Sequence, residues 1–266
     1  MLKDITIGQF FPGNSVLHRM DARFKIIITA LFIAMLFSAN TIIGLLPGIL
    51  FMALCYALSK IPFRLMLKSL KPIIPIILFT SLLNIFFLDG VVLLRVGFVR
   101  ITYDGILFTV MMILRIAALI AGSSLLTYTS SPISLTDAVE SLLSPLKKLR
   151  FPVHELSMMM SIALRFIPTL IEETDKIMSA QKARGADMES GGLLHRAKAL
   201  VPILIPLFVS AFSRAMELAL AMECRCYQGG EGRTRLKVLH SKGADYIGLT
   251  IAMLFLDATV LVDLLL

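Results

Sequence analysis

VHELSMMMSIALRFIPTLIEETDKIMSAQKARG, residues 153–185, decides the reading of this chain. Leu156, Met160, Ala163, Ile167, Leu170, Thr174, Ile177, Gln181 and Arg184 step through it by alternate fours and threes. That spacing lays them on one stripe of a long helix. A second long helix follows, with Leu204, Phe208, Ala211, Ala215, Leu218, Met222 and Arg225 in the same alternation. In both, an arginine is the last step of the seam. Glycine is expected to stop each helix: Gly185 after the first, Gly229 and Gly230 after the second. An arginine in a last turn complements the helix dipole and needs no further role. Two of them, each continuing the apolar seam instead of the polar face, are placed to enter a partner. The planar guanidinium meets carboxylates and carbonyls bidentately at such contacts.

Composition sets the class. Of 266 residues, 57% are hydrophobic, tryptophan is absent and the mean hydropathy is +0.85. These values point to an integral membrane protein. The net charge of +8 does not argue for nucleic acid, because the basic residues flank apolar runs, as cytoplasmic lysines and arginines do. No cleavable leader is expected, since Met1 to Lys25 is mixed in character.

Five spans are predicted: Ile26 to Ala39, Ile42 to Leu58, Pro72 to Leu88, Ile106 to Leu126 and Ile247 to Leu266. Pro62 and Pro72 bracket a short basic helix, and Val91 to Thr102 reads as a small hairpin between the third and fourth spans. The first two inner segments carry Lys3, Arg19, Arg23, Lys25, Lys60, Arg64, Lys68 and Lys71, against Arg95 and Arg100 outside. The asymmetry predicts a cytoplasmic amino terminus and an outer carboxyl terminus. The fold class is all-α: a polytopic membrane protein of about five transmembrane helices with a cytoplasmic helical domain containing two long helices. Residues 1–130 form the first four spans, 131–244 the cytoplasmic helical domain and 245–266 the last span. A short helix from about Leu135 to Lys148, capped at Ser134, opens the cytoplasmic part.

The chain offers no enzyme machinery. It has no G-x-x-x-x-G-K-[ST] loop, and no nucleophile, base and acid set stands out among its residues. Its four histidines have no ligand spacing, and Cys224-x-Cys226 with His240 falls short of a zinc site. No cofactor and no metal are expected. Two charges lie inside predicted spans: Arg115 in the fourth and Asp257 in the fifth. A mutual ion pair is favoured; the alternative, a proton relay in a secondary transporter, usually needs more groups.

Gln181-Lys182-Ala183-Arg184-Gly185-Ala186 and Met222-Glu223-Cys224-Arg225-Cys226-Tyr227 resemble the paired Ala-Arg-Gly motifs of the T component of energy-coupling factor transporters. His18-Arg19-Met20-Asp21-Ala22-Arg23-Phe24-Lys25 resembles that family's segment before its first span, with Ala22 where proline is usual. The first Ala-Arg-Gly motif matches fully, and the second has Cys224 for alanine and Cys226 for glycine. The resemblance implies a bacterial cell-membrane coupling subunit of a vitamin or metal-ion importer. It implies that two ABC-type ATPases take Ala183, Arg184, Gly185 and Cys224, Arg225, Cys226 into their grooves, while a separate membrane subunit binds the substrate. A conventional ABC importer permease, which usually presents one coupling loop per subunit, and a secondary transporter are the alternatives.

Overall fold

The computed structural model describes residues 10–87, 92–96, 99–149, 151–186, 192–229 and 239–265. It divides into two compact units: Gly8–Ser141 with Val238–Leu266, and the intervening Leu142–Lys237 together with Met1–Ile7.

The first unit holds α1 (Val16–Arg19), α2 (Ala22–Ser38), α3 (Leu45–Ser59), α4 (Phe63–Leu70), α5 (Ile74–Phe87), α6 (Tyr103–Thr129) and α10 (Gly243–Leu265). Strands β1 (Val92–Val96) and β2 (Val99–Thr102) pair antiparallel, as the valine-rich stretch predicts. Gly97 of that stretch lies outside the described residues. Helix α7 spans Pro132–Leu143.

Helices α2 and α10 run parallel and are tied at both ends. At the first end Asp245 accepts the backbone N–H of Asp21 at 3.0 Å. At the other, Asp263 accepts the Asn40 side-chain amide at 3.0 Å and the Thr41 hydroxyl at 2.8 Å. Gly44 is required there, because a Cβ would stand 2.6 Å from the Asp263 carboxylate. Between the ties the core is Phe32, Met35, Leu36, Leu45, Phe51, Ala118 and Ala252, all buried. Phe32 lies so close to Gly122 of α6 that a Cβ would meet its ring at 2.1 Å. A few such small-against-large contacts let membrane helices approach closely without a strong hydrophobic drive between them.

By length and composition Phe63–Phe86, Tyr103–Thr129 and Gly243–Leu265 of this unit can each cross a membrane. The short basic helix expected between Pro62 and Pro72 is α4, and α5 falls within the third predicted span. Lys71–Ile73 forms a 3-10 turn that passes α4 into α5 without a break. Helices α2, of 17 residues, and α3, of 15, form the tight hairpin expected from Asn40-Thr41. At 1.5 Å per residue they reach roughly 25 Å, a little short of a hydrocarbon core of about 30 Å. The architecture is all-α and polytopic: among the described residues four helices are long and apolar enough to cross a membrane, the fourth being Lys198–Glu223 of the second unit.

The second unit contains α8 (Val153–Ala183) and α9 (Leu193–Glu223). The helix before them differs from expectation at both ends. It starts at Pro132, where the Ser131 hydroxyl accepts the Ser134 N–H at 3.2 Å, and it passes at Ser144 into a 3-10 turn containing Pro145.

Candidate coupling interface

The candidate interface is built on the α8–α9 pair. Gln181 donates to the Pro202 carbonyl at 3.4 Å, while Glu173 meets Arg214 at 2.9 Å and accepts the Ser210 hydroxyl. Later residues of α9 thus meet earlier residues of α8, so the helices are antiparallel. Continuing that register, Arg225 lies level with about residue 158 of α8, and Arg184 lies at the far end. The arginines stand at opposite ends of one pair, roughly 40 Å apart along it at 1.5 Å per residue.

Both helices end in the same hydrogen-bond pattern. At the first, Gly185 N–H donates to Lys182 C=O at 3.0 Å and Ala186 N–H to Gln181 C=O at 3.0 Å. At the second, Cys226 N–H donates to Glu223 C=O at 2.8 Å and Tyr227 N–H to Met222 C=O at 3.1 Å. Each is a Schellman ending, which requires a left-handed residue just after the cap. Gly185 supplies it with φ of 85°, and Cys226 supplies it with φ of 53°. This corrects the expected stop of the second helix. Cys226 ends it, three residues before Gly229, and Gly230 lies outside the described residues. The backbone shape of Ala-Arg-Gly is thus kept by Cys-Arg-Cys. Leaving glycine costs about 1 kcal/mol or more, because a Cβ in the left-handed region crowds the carbonyl.

Ala183, Arg184, Gly185, Cys224, Arg225 and Cys226 are all exposed. The structure therefore presents the two predicted triplets as free tips and keeps them apart. The α9 seam requires a correction. Its packed face is Ile203, Leu207, Ser210, Ala211, Arg214, Leu218 and Met222, whereas Leu204 and Phe208 point outward with 45% and 61% exposure. The reason is polar: Ser210 and Arg214 turn toward Glu173, and the more apolar row is left outside. Val209, Phe212, Met216 and Leu220 extend that exposed row.

The predicted pair inside the spans is not formed. Arg115 donates to the Ala39 carbonyl at the end of α2, where a cation complements the helix dipole. Asp257 is exposed on α10, and among the described residues it has no ion pair or hydrogen bond. Arg115 takes the carbonyl because the short α2 ends at its level of α6.

The His18–Lys25 segment that carries part of the resemblance builds a polar cluster at the start of α2. Asp21 accepts its own helix's Arg23 N–H at 2.9 Å and the Arg23 guanidinium at 2.7 Å. Arg23 also donates to Ser141 at 3.3 Å and to the Leu239 carbonyl at 3.2 Å. Burial works to raise the Asp21 pKa, but the hydrogen bonds and charge of Arg23 bring it below the ordinary carboxylate value. Buried Lys25 donates to Thr129 C=O at 2.9 Å and to Ser130 at 3.3 Å, capping the end of α6. The signal available in sequence was the Asp-x-Arg spacing, which lets an N-cap carboxylate take both the backbone and the side chain of the arginine.

The family model described as "Cobalt transport protein", CbiQ, matches residues 13–236. The chain belongs to this family of transmembrane T components of energy-coupling factor transporters. The energy-coupling factor transporter transmembrane protein EcfT of Ruminiclostridium cellulolyticum is 52% identical over 263 residues, covering 99% of this chain and 98% of the relative. The protein of the same name from Bacillus subtilis is 50% identical over 246 residues, covering 92% and 93%. Among the described residues no cluster of His, Cys, Asp and Glu is arranged to hold a metal ion.

Proposed function

We propose that this T component is a mechanical coupler, joining two cytoplasmic ABC-type ATPases to a separate membrane subunit that binds a vitamin or metal ion. The observation that carries the reading is the placement of two Schellman-capped arginines at opposite ends of one antiparallel pair. One groove cannot take both tips, whereas two grooves side by side can. Each arginine enters the groove of one ATPase, with Ala183 and Gly185, or Cys224 and Cys226, giving close approach. Closure of the ATPases on ATP draws on both tips and moves the α8–α9 pair. Glu173, Ser210 and Arg214 transmit the motion by keeping the pair together.

The substrate subunit is moved through apolar contacts. The outward row of α9, from Val201 to Leu220, offers a broad apolar surface for it, and exposed Met159, Met160 and Met216 can repack as it tilts. The amino terminus lies on the ATPase side, as the distribution of lysine and arginine favours. The chain has no catalytic step of its own; ATP is hydrolysed on its partners.

Co-purification from membranes tests the reading. The expected assembly has one copy of this chain, two ATPase subunits and one other small membrane protein. Recovery of a symmetric dimer of this chain with its ATPases, and no further membrane protein, would favour a conventional permease.

A further inference from the structure

We infer that the outward face of α10 is the seat of a helix from another membrane subunit, and that Asp257 selects it. Ile247, Thr250, Leu254, Asp257, Leu261 and Leu264 step along α10 by threes and fours, and every one is exposed. That repeat is the seam of a left-handed helix pair. The opposite side of α10 is already used: Gly248 packs against Met20 and Ile28, and Ala252 and Thr259 are buried. The exposed seam is thus additional to the packing that holds α10 in its own unit.

Asp257 lies in the middle of this seam, fourteen residues after Gly243 and eight before Leu265. A carboxylate at that depth facing hydrocarbon is expensive. Among the described residues none relieves it, since Arg115 is engaged at Ala39. The same carboxylate facing a cation or strong hydrogen-bond donor on a second helix is favourable. It also fixes register, as single polar residues do at the seams of coiled coils. A second copy of this chain is the wrong occupant, because a two-fold contact would set Asp257 against Asp257 at the same depth. The occupant is therefore a helix of different sequence with a lysine, arginine, histidine or amide at mid-depth. On the function proposed above, it belongs to the substrate-binding membrane subunit.

The test uses the full complex, co-expressed and purified in lipid nanodiscs. A photoreactive residue at Leu254 or Leu261, with Asp257 intact, should crosslink to the substrate subunit. One at buried Ala252 should not. Asp257→Lys should lower recovery of the substrate subunit about tenfold while both ATPases are retained, and Asp257→Asn should lower it less. Adducts confined to this chain or to lipid, or full recovery with Asp257→Lys, would overturn the inference. If Asp257→Lys fails to insert, the crosslinks decide alone. Should the unmodified chain recover no separate membrane subunit at all, the proposed function fails first. If it recovers one that crosslinks elsewhere, only the assignment to α10 fails.

Discussion

Glu173 of α8 and Arg214 of α9 form an ion pair at 2.9 Å, and Ser210 donates to the same carboxylate. This contact sets the register of the antiparallel pair and so the separation of its tips. The Ser210 hydrogen bond, with Arg214 beside it, holds the Glu173 pKa below the ordinary glutamate value. A lowered carboxylate pKa contributes stability that is present at neutral pH and lost as pH falls through the lowered value. Glu173→Gln is expected to speed amide exchange in α8 and α9 while leaving α2 and α10 unchanged. In the unmodified protein the same protection should weaken as pH falls through that lowered value. Unchanged exchange in the variant would remove Glu173 from this role.

Cys226 holds a left-handed conformation that glycine adopts freely, with φ of 53°. Cys226→Gly is therefore expected to stabilise the end of α9 by about 1 kcal/mol, somewhat offset by the freer unfolded chain. ATPase binding should be kept, since the hydrogen-bonded cap does not depend on the sulfur. Thermal melting in detergent reads the first effect and pull-down the second. A fall in melting temperature would mean that the Cys226 side chain makes a contact worth more than the strain.

The two arginine tips and the membrane class were legible because periodicity and composition report them directly. The packed face of α9 was not. A sequence count favours Leu204 and Phe208, whereas a polar contact to Glu173 turns the helix toward Ser210 and Arg214. Arg115 and Asp257 were matched by charge and approximate depth. The decision rested on where α2 ends, and sequence fixes helix ends poorly. The cap at Cys226 was hidden because cysteine carries no turn preference, although Met222 to Tyr227 bond in the same pattern as Gln181 to Ala186.

Asp245 is almost fully buried and accepts the N–H of Asp21 at 3.0 Å and that of Lys242 at 2.6 Å. Asp245→Ala leaves both donors without that partner where α2 and α10 begin. A loss of about 1–3 kcal/mol is expected, read as a lower melting temperature and poor accumulation in membranes. Asp245→Asn keeps one acceptor oxygen and should recover part of it. Equal stability of the alanine variant and the unmodified chain would show that the latch is dispensable.

Cys224 and Cys226 are exposed, whereas Cys55 is half-buried within α3. A membrane-impermeant thiol reagent should modify mainly the first two in the isolated chain. Bound ATPases should protect both, and a bulky adduct placed beforehand should block assembly. Equal modification by mass spectrometry with and without ATPases would exclude this end of α9 from the contact.

The central claim is that Arg184 and Arg225 dock two ATPases independently. Quantitative pull-down of the ATPases by Arg184→Glu, Arg225→Glu and the double variant tests it most directly. Reversing one buried charge opposite acidic or carbonyl groups costs several kcal/mol. Each single variant should therefore keep one docking site and bind more weakly, and the double variant should recover neither ATPase. Full recovery of both ATPases by the double variant, in a chain that still folds and inserts, would contradict the account.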